Sequence, residues 1–358
     1  MSPSTANRLL PIIAFATASA ATPVIAQTER AVTRLADGVY AIRHRDAQDG
    51  FAGGNTTVVI GDRQVLVVDA PFLPSDARED IADIRRWTDK PVTFLVITHF
   101  HNDHNLGNRA YMDAFPALTI IAHAETKKDM DLFGPESVAR EDRATAAYEQ
   151  MQRNGRNGDG TLLTAADRKD LDAILVRRRQ VTAELRDVAF QTATLTFEHD
   201  LTIDLGHRVV EIEFLGRGNT AGDAVVYVPA DKLVVAGDLV VYPLPYVHDG
   251  YPSEWVVTLR RLAELDATAI VPGHGPVLRD TAYVQLLREL FASAVGQMNE
   301  ALRKSGPAMF RSVDDVKASI DLTPFRQRFA GNDKDLAAAF DRTAGDLIRV
   351  VFREASLR

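Results

Sequence analysis

The 358-residue sequence contains no cysteine. Oxidising compartments hold proteins both with and without disulfide bonds, so this absence does not fix the compartment. It does restrict metal chemistry, because the soft thiolate ligand is missing. Any transition-metal site in this chain must be built from histidine, aspartate, glutamate or amide side chains.

An excess of positive charge is missing as well. The 41 lysines and arginines are outnumbered by 49 aspartates and glutamates, which gives a formal net charge of −8. A nucleic-acid surface needs lysine and arginine to neutralise phosphates, so no nucleic-acid partner is expected. The negative net charge does not exclude anionic small-molecule substrates, because a bound metal changes the sign of the local charge.

Long apolar runs are absent except near the N-terminus. Residues 1–26 carry one arginine and then an apolar stretch rich in small residues, with Val24 and Ala26 placed as in a signal-peptidase site. An uncleaved membrane anchor is the alternative, but Pro11 and Pro23 would make a poor spanning helix. We therefore expect a cleaved signal peptide and a periplasmic or secreted protein with no membrane association after cleavage.

Strand-like and helix-like segments alternate along the rest of the chain. Residues 39–70 are strand-like, and within them "NTTVVI", the turn "GDRQ" and "VLVVDA" are typical of a β-hairpin; residues 75–88 have the apolar spacing of a helix. "VTFLVITHF" is typical of a buried strand. The two halves of the chain each combine strands with helices, so the predicted class is α/β, a sandwich with helices outside.

Two segments differ from this pattern. Residues 127–187 are charge-dense and helical in spacing around the glycine-rich "RNGRNGDG", which indicates a helical insertion. Within it, Arg177–Arg179 are expected to form a solvated helix face, because acidic residues surround them. Residues 281–358 are predicted to form a helical C-terminal extension, which leaves residues 30–280 for the main domain.

The strongest chemical signal is "THFHNDH", Thr98 to His104, directly after an apolar strand. In an extended segment His99 and His101 project to the same side, because side chains alternate with period two. Asp103 and His104 follow a turn and can address a neighbouring centre. Imidazoles and carboxylates suit zinc and related divalent ions. A polar loop without function is the alternative, but this combination of residues rarely arises by chance.

"HFHNDH" resembles the HxHxDH motif of metallo-β-lactamase-fold hydrolases. "GNTAGD", then "AGD" ending in Asp238, and then "PGHG" with His274 follow in the matching order, and the resemblance covers residues 39–278. It implies an αββα sandwich with the site at its edge. It also implies that His99 and His101 are ligands of a first metal. Asp103, His104 and His274 would be ligands of a second metal, and Asp238 would bridge both.

Asn219, within "GNTAGD", departs from the family, which usually places a third histidine of the first metal there. An amide oxygen should hold zinc less tightly than imidazole does. We therefore expect one or two Zn²⁺ ions per chain, with the second site the tighter one; an inactive site is the remaining alternative. Asp69, at the end of an early strand, is expected to orient the site, although it could also be a simple turn carboxylate.

The resemblance implies an exported metal-dependent hydrolase. A metal-bound hydroxide, held by Asp103 and Asp238, would attack a carbonyl or phosphoryl centre of a small-molecule substrate. The alternatives are a true β-lactamase, a metal- or ligand-binding protein without turnover, and an iron-dependent redox protein. A homo-oligomer is a further prediction, because the amphipathic tail could pair subunits as readily as it could cover a pocket.

Several other residues remain candidates for lesser roles. The aromatic segment Val241–Trp255 is expected either to line a pocket or to serve packing, and the glycines in Asp46–Asn55 are typical of a flap. Four further histidines are expected to be structural or at the surface: His44, His123, His199 and His207.

Overall fold

The computed structural model describes residues 29–45, 53–158, 160–305 and 312–356. The predicted signal peptide, residues 1–26, lies outside the described residues, and so do residues 46–52 of the proposed flap. Within the described ranges, no helix combines the length and the apolar character needed to cross a membrane.

The first half of the chain builds a seven-stranded sheet whose strands lie side by side in sequence order. Pairing is antiparallel from β1 to β4 and parallel from β4 to β7. The strands are β1 Ala31–Ala36, β2 Val39–Arg43, β3 Thr56–Ile60, β4 Val65–Val68, β5 Val92–Ile97, β6 Thr119–His123 and β7 Leu195–Phe197. The predicted hairpin is therefore present as β3 and β4, whereas β1 was not anticipated.

The second half builds a five-stranded sheet in the order β12-β11-β10-β9-β8. Its strands pair antiparallel except for β11 and β12, which are parallel. They are β8 Asp200–Asp204, β9 Val209–Glu213, β10 Val225–Val228, β11 Leu233–Val241 and β12 Ala269–His274.

Ten α-helices lie in the described residues. Six precede the C-terminal part: α1 Pro74–Trp87, α2 Asn108–Ala114, α3 Ala124–Phe133, α4 Ser137–Asn154, α5 Ala165–Leu185 and α6 Pro252–Glu264. Four follow: α7 Ala282–Ser305, α8 Val313–Lys317, α9 Thr323–Ala330 and α10 Lys334–Ser356. Helices thus occupy the segments expected to be an insertion and a C-terminal extension, while the domain boundaries themselves stay predictions.

Side-chain alternation explains the layering. In β4, Val65 and Val67 pack in the cluster that includes α1, whereas Leu66 and Val68 pack in the cluster between the two sheets. On the other side, the second sheet packs against α6, α7 and α10. Strands buried on both faces read as continuous apolar runs, as β4 does. The expected αββα sandwich is confirmed.

The sandwich brings the candidate residues to one edge. The histidine-rich motif follows the end of β5, Asp69 follows the end of β4, and these two strands are parallel neighbours. In the other sheet Asp238 lies on β11 and His274 ends β12, which is parallel to β11. Parallel neighbours end on the same side of a sheet, so four separate chain segments converge there.

The expectation of a solvated face for Arg177–Arg179 is wrong for Arg178. Its Nη1 lies 2.6 Å from Oε2 of Glu141 on α4, and both side chains are about nine-tenths buried. The arginine therefore joins α5 to α4 inside the insertion, where a charge needs a partner.

Candidate metal centre

One cluster is formed by His99, His101 and Asp238. The Nε2 atom of His99 lies 3.0 Å from Nδ1 of His101 and 3.5 Å from Oδ2 of Asp238. One ligand-type atom from each of the three residues lies within 4.8 Å of the other two. We refer to this cluster as the first half-site.

Asp103, His104 and His274 form the second half-site. Nε2 of His274 lies 3.0 Å from Oδ2 of Asp103 and 3.2 Å from Nε2 of His104. Nε2 of His104 lies 3.4 Å from Oδ2 of Asp103. These atoms also lie within 4.8 Å of one another. Asp103 and His104, which follow the turn in the motif, thus belong to a different cluster from His99 and His101, as the sequence indicated.

Asp238 joins the two half-sites. Its Oδ2 faces His99, while its Oδ1 lies 3.4 Å from Nε2 of His104 and 3.3 Å from Nε2 of His274. Oδ1 is buried and has no hydrogen-bond partner. A buried carboxylate oxygen is costly without a partner, so this atom is suited to a cation between the two clusters.

The spacing of the donor atoms fits tetrahedral zinc. A tetrahedral ion with bonds of 2.0–2.1 Å separates its ligand atoms by about 3.3 Å. The separations within the half-sites are 3.0, 3.0, 3.2, 3.4 and 3.5 Å. Imidazole nitrogens and carboxylate oxygens are also the ligand types that zinc takes in the absence of cysteine. The residues present therefore fit the metal that the sequence predicts.

The buried carboxylates of the cluster, Asp103 and Asp238, are stabilised by positive charge on their neighbours. Burial opposes ionisation of Asp103 and Asp238, but neighbouring histidines outweigh it and hold the pKa of each carboxyl below its ordinary value. Burial likewise lowers the pKa of His274, but Asp238 and Asp103 outweigh it and raise this pKa to about 10. The same balance raises the pKa of His104. Two buried carboxylates thus require cationic neighbours, and protons on the imidazoles compete with a metal ion for that place.

Three of the four imidazoles are held at Nδ1, the ring nitrogen that does not face the cluster. Nδ1 of His99 lies 3.0 Å from Oγ1 of Thr98, and Nδ1 of His274 lies 3.1 Å from the carbonyl oxygen of Gly53. Nδ1 of His104 lies 2.8 Å from Oδ2 of Asp69. Such partners fix the ring orientation and leave the opposite nitrogen free for a metal.

The Asp69 carboxylate is hydrogen-bonded to two residues of the metal-binding motif, His104 and Thr98. Besides His104, it accepts bonds of 2.7 Å from the backbone N–H and from Oγ1 of Thr98. Its φ of 61° lies in the left-handed region, which is unusual for a residue other than glycine. The structure therefore places Asp69 where the orienting role was expected, between β4, the motif and the second half-site.

His101 is held differently, by the loop Tyr242–Tyr251. Its Nε2 lies 3.1 Å from Oδ2 of Asp249, whose side chain is half exposed. The guanidinium of Arg353 on α10 donates bonds of 2.9 and 3.2 Å to the carbonyl oxygens of His248 and Gly250, on either side of Asp249. The C-terminal helix thus fixes the backbone on which the partner of His101 stands.

Asn219 lies beside the same loop. Its Nδ2 donates a 2.8 Å bond to the carbonyl oxygen of Tyr246, and the Tyr246 ring packs edge-on against His101 with centroids 5.3 Å apart. The Oδ1 atom of Asn219 is buried without a hydrogen-bond partner. The amide is therefore oriented by its nitrogen, and its oxygen is left available as a ligand atom.

Asp223 shapes the backbone around Asn219. It accepts bonds from the N–H groups of Gly218 and Thr220, at 3.0 and 2.9 Å, and from Oγ1 of Thr220 at 2.9 Å. Burial raises the pKa of Asp223 to about 7, against these bonds. In "GNTAGD", the side chain of the last residue, Asp223, thus fixes the backbone of the first residues by hydrogen bonds.

The other candidates of the aromatic segment serve different purposes. Tyr246 lines the cavity over the metal centre, whereas Tyr242 packs on Tyr283 and Tyr251 packs under the guanidinium of Arg217. His248 lies 3.6 Å from Asp346 of α10. Of the four additional histidines, His44 contacts Asp80, His123 caps α3, His207 contacts Asp62 and His199 is exposed.

A cavity of about 420 Å³ opens above the two half-sites. Its floor includes four of the candidate ligands, and its walls combine residues of the main domain with residues of the insertion and of α10. They are Phe100, His101, Asn102, Asp103, Phe133, Arg140, Glu141, Asp238, Val241, Leu244, Pro245, Tyr246, His274 and Thr343.

Comparison with known proteins agrees with this geometry. The family described as the metallo-beta-lactamase superfamily matches residues 49–274, more than half of the chain. The chain belongs to the metallo-beta-lactamase superfamily. Members of this superfamily share the αββα arrangement described above, and the match ends at His274, the last candidate ligand.

Individual relatives are distant. A linear primary-alkylsulfatase from Pseudomonas sp. is 23% identical over 287 residues, which are 75% of this chain and 52% of the relative. This superfamily member thus spans about half the length of that relative. A metallo-beta-lactamase from Pontibacter korlensis has a TM-score of 0.53 at 19% identity, covering 74% of this chain and 99% of its own. VMB-1 has a TM-score of 0.52 at 19% identity, with 74% and 98% covered. These structural likenesses show the fold alone.

Proposed function

We propose that this superfamily member is a zinc-dependent hydrolase with a two-metal centre. The observation that carries the proposal is Asp238, whose two oxygens face the two half-sites separately. The first zinc would be held by His99, His101 and Asp238, and the second by Asp103, His104 and His274 with Asp238. Each half-site thereby reaches at least three protein ligands, which is the number that a catalytic zinc site uses.

Asn219 would complete the first half-site through Oδ1. Its buried oxygen lacks a hydrogen-bond partner, while its nitrogen is already used by Tyr246. A neutral amide is a weaker zinc ligand than imidazole. We therefore propose two zinc ions of unequal affinity, rather than an inactive site, with the weaker ion in the first half-site.

Zinc ions, when bound, lower the pKa of water to make a nucleophile and polarise the group that it attacks. The chain's own residues place and orient the reactants. Asp103 and Asp238 both line the cavity, so their oxygens can accept a hydrogen bond from the attacking water and hold it in place. Asp69, Thr98 and Asp249 keep the imidazoles fixed during the reaction.

A carbonyl or phosphoryl ester is the substrate class that we propose, and a sulfate ester is the second candidate. The second rests on the likeness to a linear primary-alkylsulfatase over three-quarters of this chain. A β-lactam is less favoured, because the cavity walls include Thr343, which lies in the helical extension beyond the residues that match the family.

We also propose that the protein is exported, on the basis of the signal-like residues 1–26. Intact-mass measurement of protein recovered from a periplasmic extract should show a chain that begins after residue 26. A chain of full mass in the membrane fraction would contradict export by this route.

Asp103→Ala provides the direct test of the hydrolase. A zinc-loaded preparation would be assayed with p-nitrophenyl carboxylate, phosphate and sulfate esters, and then again after chelation. We expect wild-type turnover of at least one ester class, lost on chelation and reduced roughly 1,000-fold or more in Asp103→Ala, because the carboxylate serves both metal binding and water positioning. Asp113→Ala, at an exposed position on α2, is the matched control.

The result that would contradict the proposal is full zinc occupancy without turnover of any ester or β-lactam. Such a protein would bind metal or ligand without catalysis. Turnover that survives both chelation and Asp103→Ala would instead place the reaction elsewhere in the molecule.

A further inference from the structure

The helical insertion is attached directly to the metal-binding motif. Oγ of Ser137, the first residue of α4, donates a 2.7 Å bond to Oδ1 of Asn102, which stands between His101 and Asp103. Just before α4, the Phe133 ring packs against Phe100 with centroids 5.5 Å apart. The start of α4 is thus fixed at the mouth of the metal centre.

The face of α4 that carries Ser137 also carries two charged residues. Arg140 and Glu141 follow at three and four positions, so they lie on the same side of the helix, and both line the cavity. Glu141 is already neutralised, because its Oε2 lies 2.6 Å from Nη1 of Arg178. Within the described part of the chain, Arg140 has neither a carboxylate partner nor a hydrogen-bond acceptor.

Arg140 is exposed, and the cavity that it lines also has apolar lining residues. Phe100, Phe133, Leu244 and Pro245 are among these apolar residues. The positive charge of Arg140 also acts on Tyr246, where it opposes the rise in pKa that burial and nearby carboxylates cause. The cavity therefore combines a metal-binding floor, apolar lining residues and a guanidinium for which the described residues supply no partner.

We propose that Arg140 is a specificity-determining residue that binds a negatively charged group on an otherwise apolar substrate. A guanidinium forms strong, often bidentate bonds with carboxylate and sulfate. The substrate class is thus an amphiphilic anion of modest size, as a cavity of about 420 Å³ admits. This inference rests on the proposed hydrolase function and names the substrates that the site prefers.

Two esters that differ only at the far end of the acyl chain test the preference. Mono-p-nitrophenyl adipate carries a carboxylate where p-nitrophenyl hexanoate carries a methyl group. We expect wild-type zinc protein to favour the adipate in kcat/KM, and Arg140→Gln to lose roughly 10- to 100-fold with the adipate while changing less than about threefold with the hexanoate. Arg140→Lys should retain an intermediate preference.

Arg143→Gln is the matched control. Arg143 lies one turn further along α4, its side chain is 63% exposed, and it pairs with Glu136 outside the cavity. It removes the same charge from the same helix, so both esters should react as with the wild type. An equal loss of adipate preference in Arg143→Gln would mean a general charge effect and would overturn the assignment to Arg140.

A binding measurement separates failure of this inference from failure of the hydrolase proposal. Hexanesulfonate has no hydrolysable ester, so its dissociation constant, measured by calorimetry on zinc-loaded protein, does not depend on turnover. We expect this constant to rise roughly 10-fold or more in Arg140→Gln, but not in Arg143→Gln. An unchanged constant would overturn the role of Arg140 even in an active enzyme, whereas a raised constant without ester turnover would support the anion site and contradict the hydrolase.

Discussion

The two half-sites contain similar ligands but are supported in different ways. His104 of the second half-site rests on Asp69, whose side chain is 3% exposed and which also binds the strand-end residue Thr98. His101 of the first half-site rests on Asp249, whose side chain is 50% exposed and which stands on a loop. The second half-site is built into the ends of the sheets, whereas one ligand of the first, His101, depends on contacts between a loop and the C-terminal helix.

This difference implies unequal metal binding. A ligand fixed by buried neighbours loses little freedom when a metal binds, whereas a ligand on an exposed loop must be ordered. The first half-site also has Asn219 where the family usually has an imidazole. Both features point in the same direction, so the second half-site should bind zinc more tightly than the first.

The largest effect is expected from Asp69→Asn. Asparagine tolerates the left-handed backbone of this position, so the change removes charge without backbone strain. Loss of the carboxylate should weaken zinc in the second half-site by roughly 10- to 100-fold and lower the free energy of unfolding by about 2 kcal/mol. Competition with a zinc chelator and urea titration measure the two effects.

Asp113→Asn on α2 is the control for Asp69→Asn, since its carboxylate is exposed and remote from the cluster. Should zinc affinity of the second half-site stay unchanged in Asp69→Asn, the buried carboxylate would be no more than a structural turn residue. The contrast between the half-sites would then lose its basis.

A smaller and more selective effect is expected from the loop. Asp249→Asn should weaken zinc in the first half-site by roughly 10-fold and leave the second half-site unchanged, because the candidate ligand that Asp249 contacts is His101. Arg353→Gln should act in the same direction, since Arg353 holds the carbonyl groups on either side of Asp249. Cobalt substitution, followed by its visible spectrum, reports the geometry of each half-site separately.

A variant that combines Asp249→Asn with Arg353→Gln tests this prediction further. Because Arg353 acts through Asp249, the two effects should not add, and Arg353→Lys should recover part of the affinity. Arg342→Gln, at an exposed position on α10, controls for loss of charge on this helix. Fully additive losses, or an equal loss in Arg342→Gln, would mean that α10 acts by general stability rather than through His101.

The smallest effect is expected at Asn219. Asn219→His should strengthen zinc in the first half-site by several-fold to about 10-fold, and Asn219→Ala should weaken it, because imidazole is the better ligand and alanine supplies none. Zinc content after desalting measures the direction. Equal zinc content in all three proteins would show that Oδ1 of Asn219 does not coordinate the metal.

The sequence was informative where the chemistry is local. The motif Thr98–His104 places four ligands within one turn of a strand end, and the order of Asp238 and His274 follows the family pattern. Continuous apolar runs such as β4 likewise predict the sandwich, since alternate side chains must fill the inter-sheet core and the outer core.

Residues that act across long separations could not be found in this way. Asp249 lies 148 positions from His101, and Arg353 lies 105 positions from His248, so no spacing rule connects them. Arg140 is one of many charged residues in a helical insertion, and only the fold places it in the cavity. Arg178 was wrongly predicted for the same reason. The charge-dense segment around it predicted solvent exposure, but the packing of α4 against α5 buries its side chain against Glu141.

The most direct test of the account is a stepwise zinc titration of the wild-type protein against a competing chelator, repeated with Asp249→Asn. The account predicts two zinc ions per chain in two separate steps, of which only the weaker step shifts in Asp249→Asn. A single zinc ion per chain, two equal steps, or a shift of the tighter step would contradict the unequal two-metal centre.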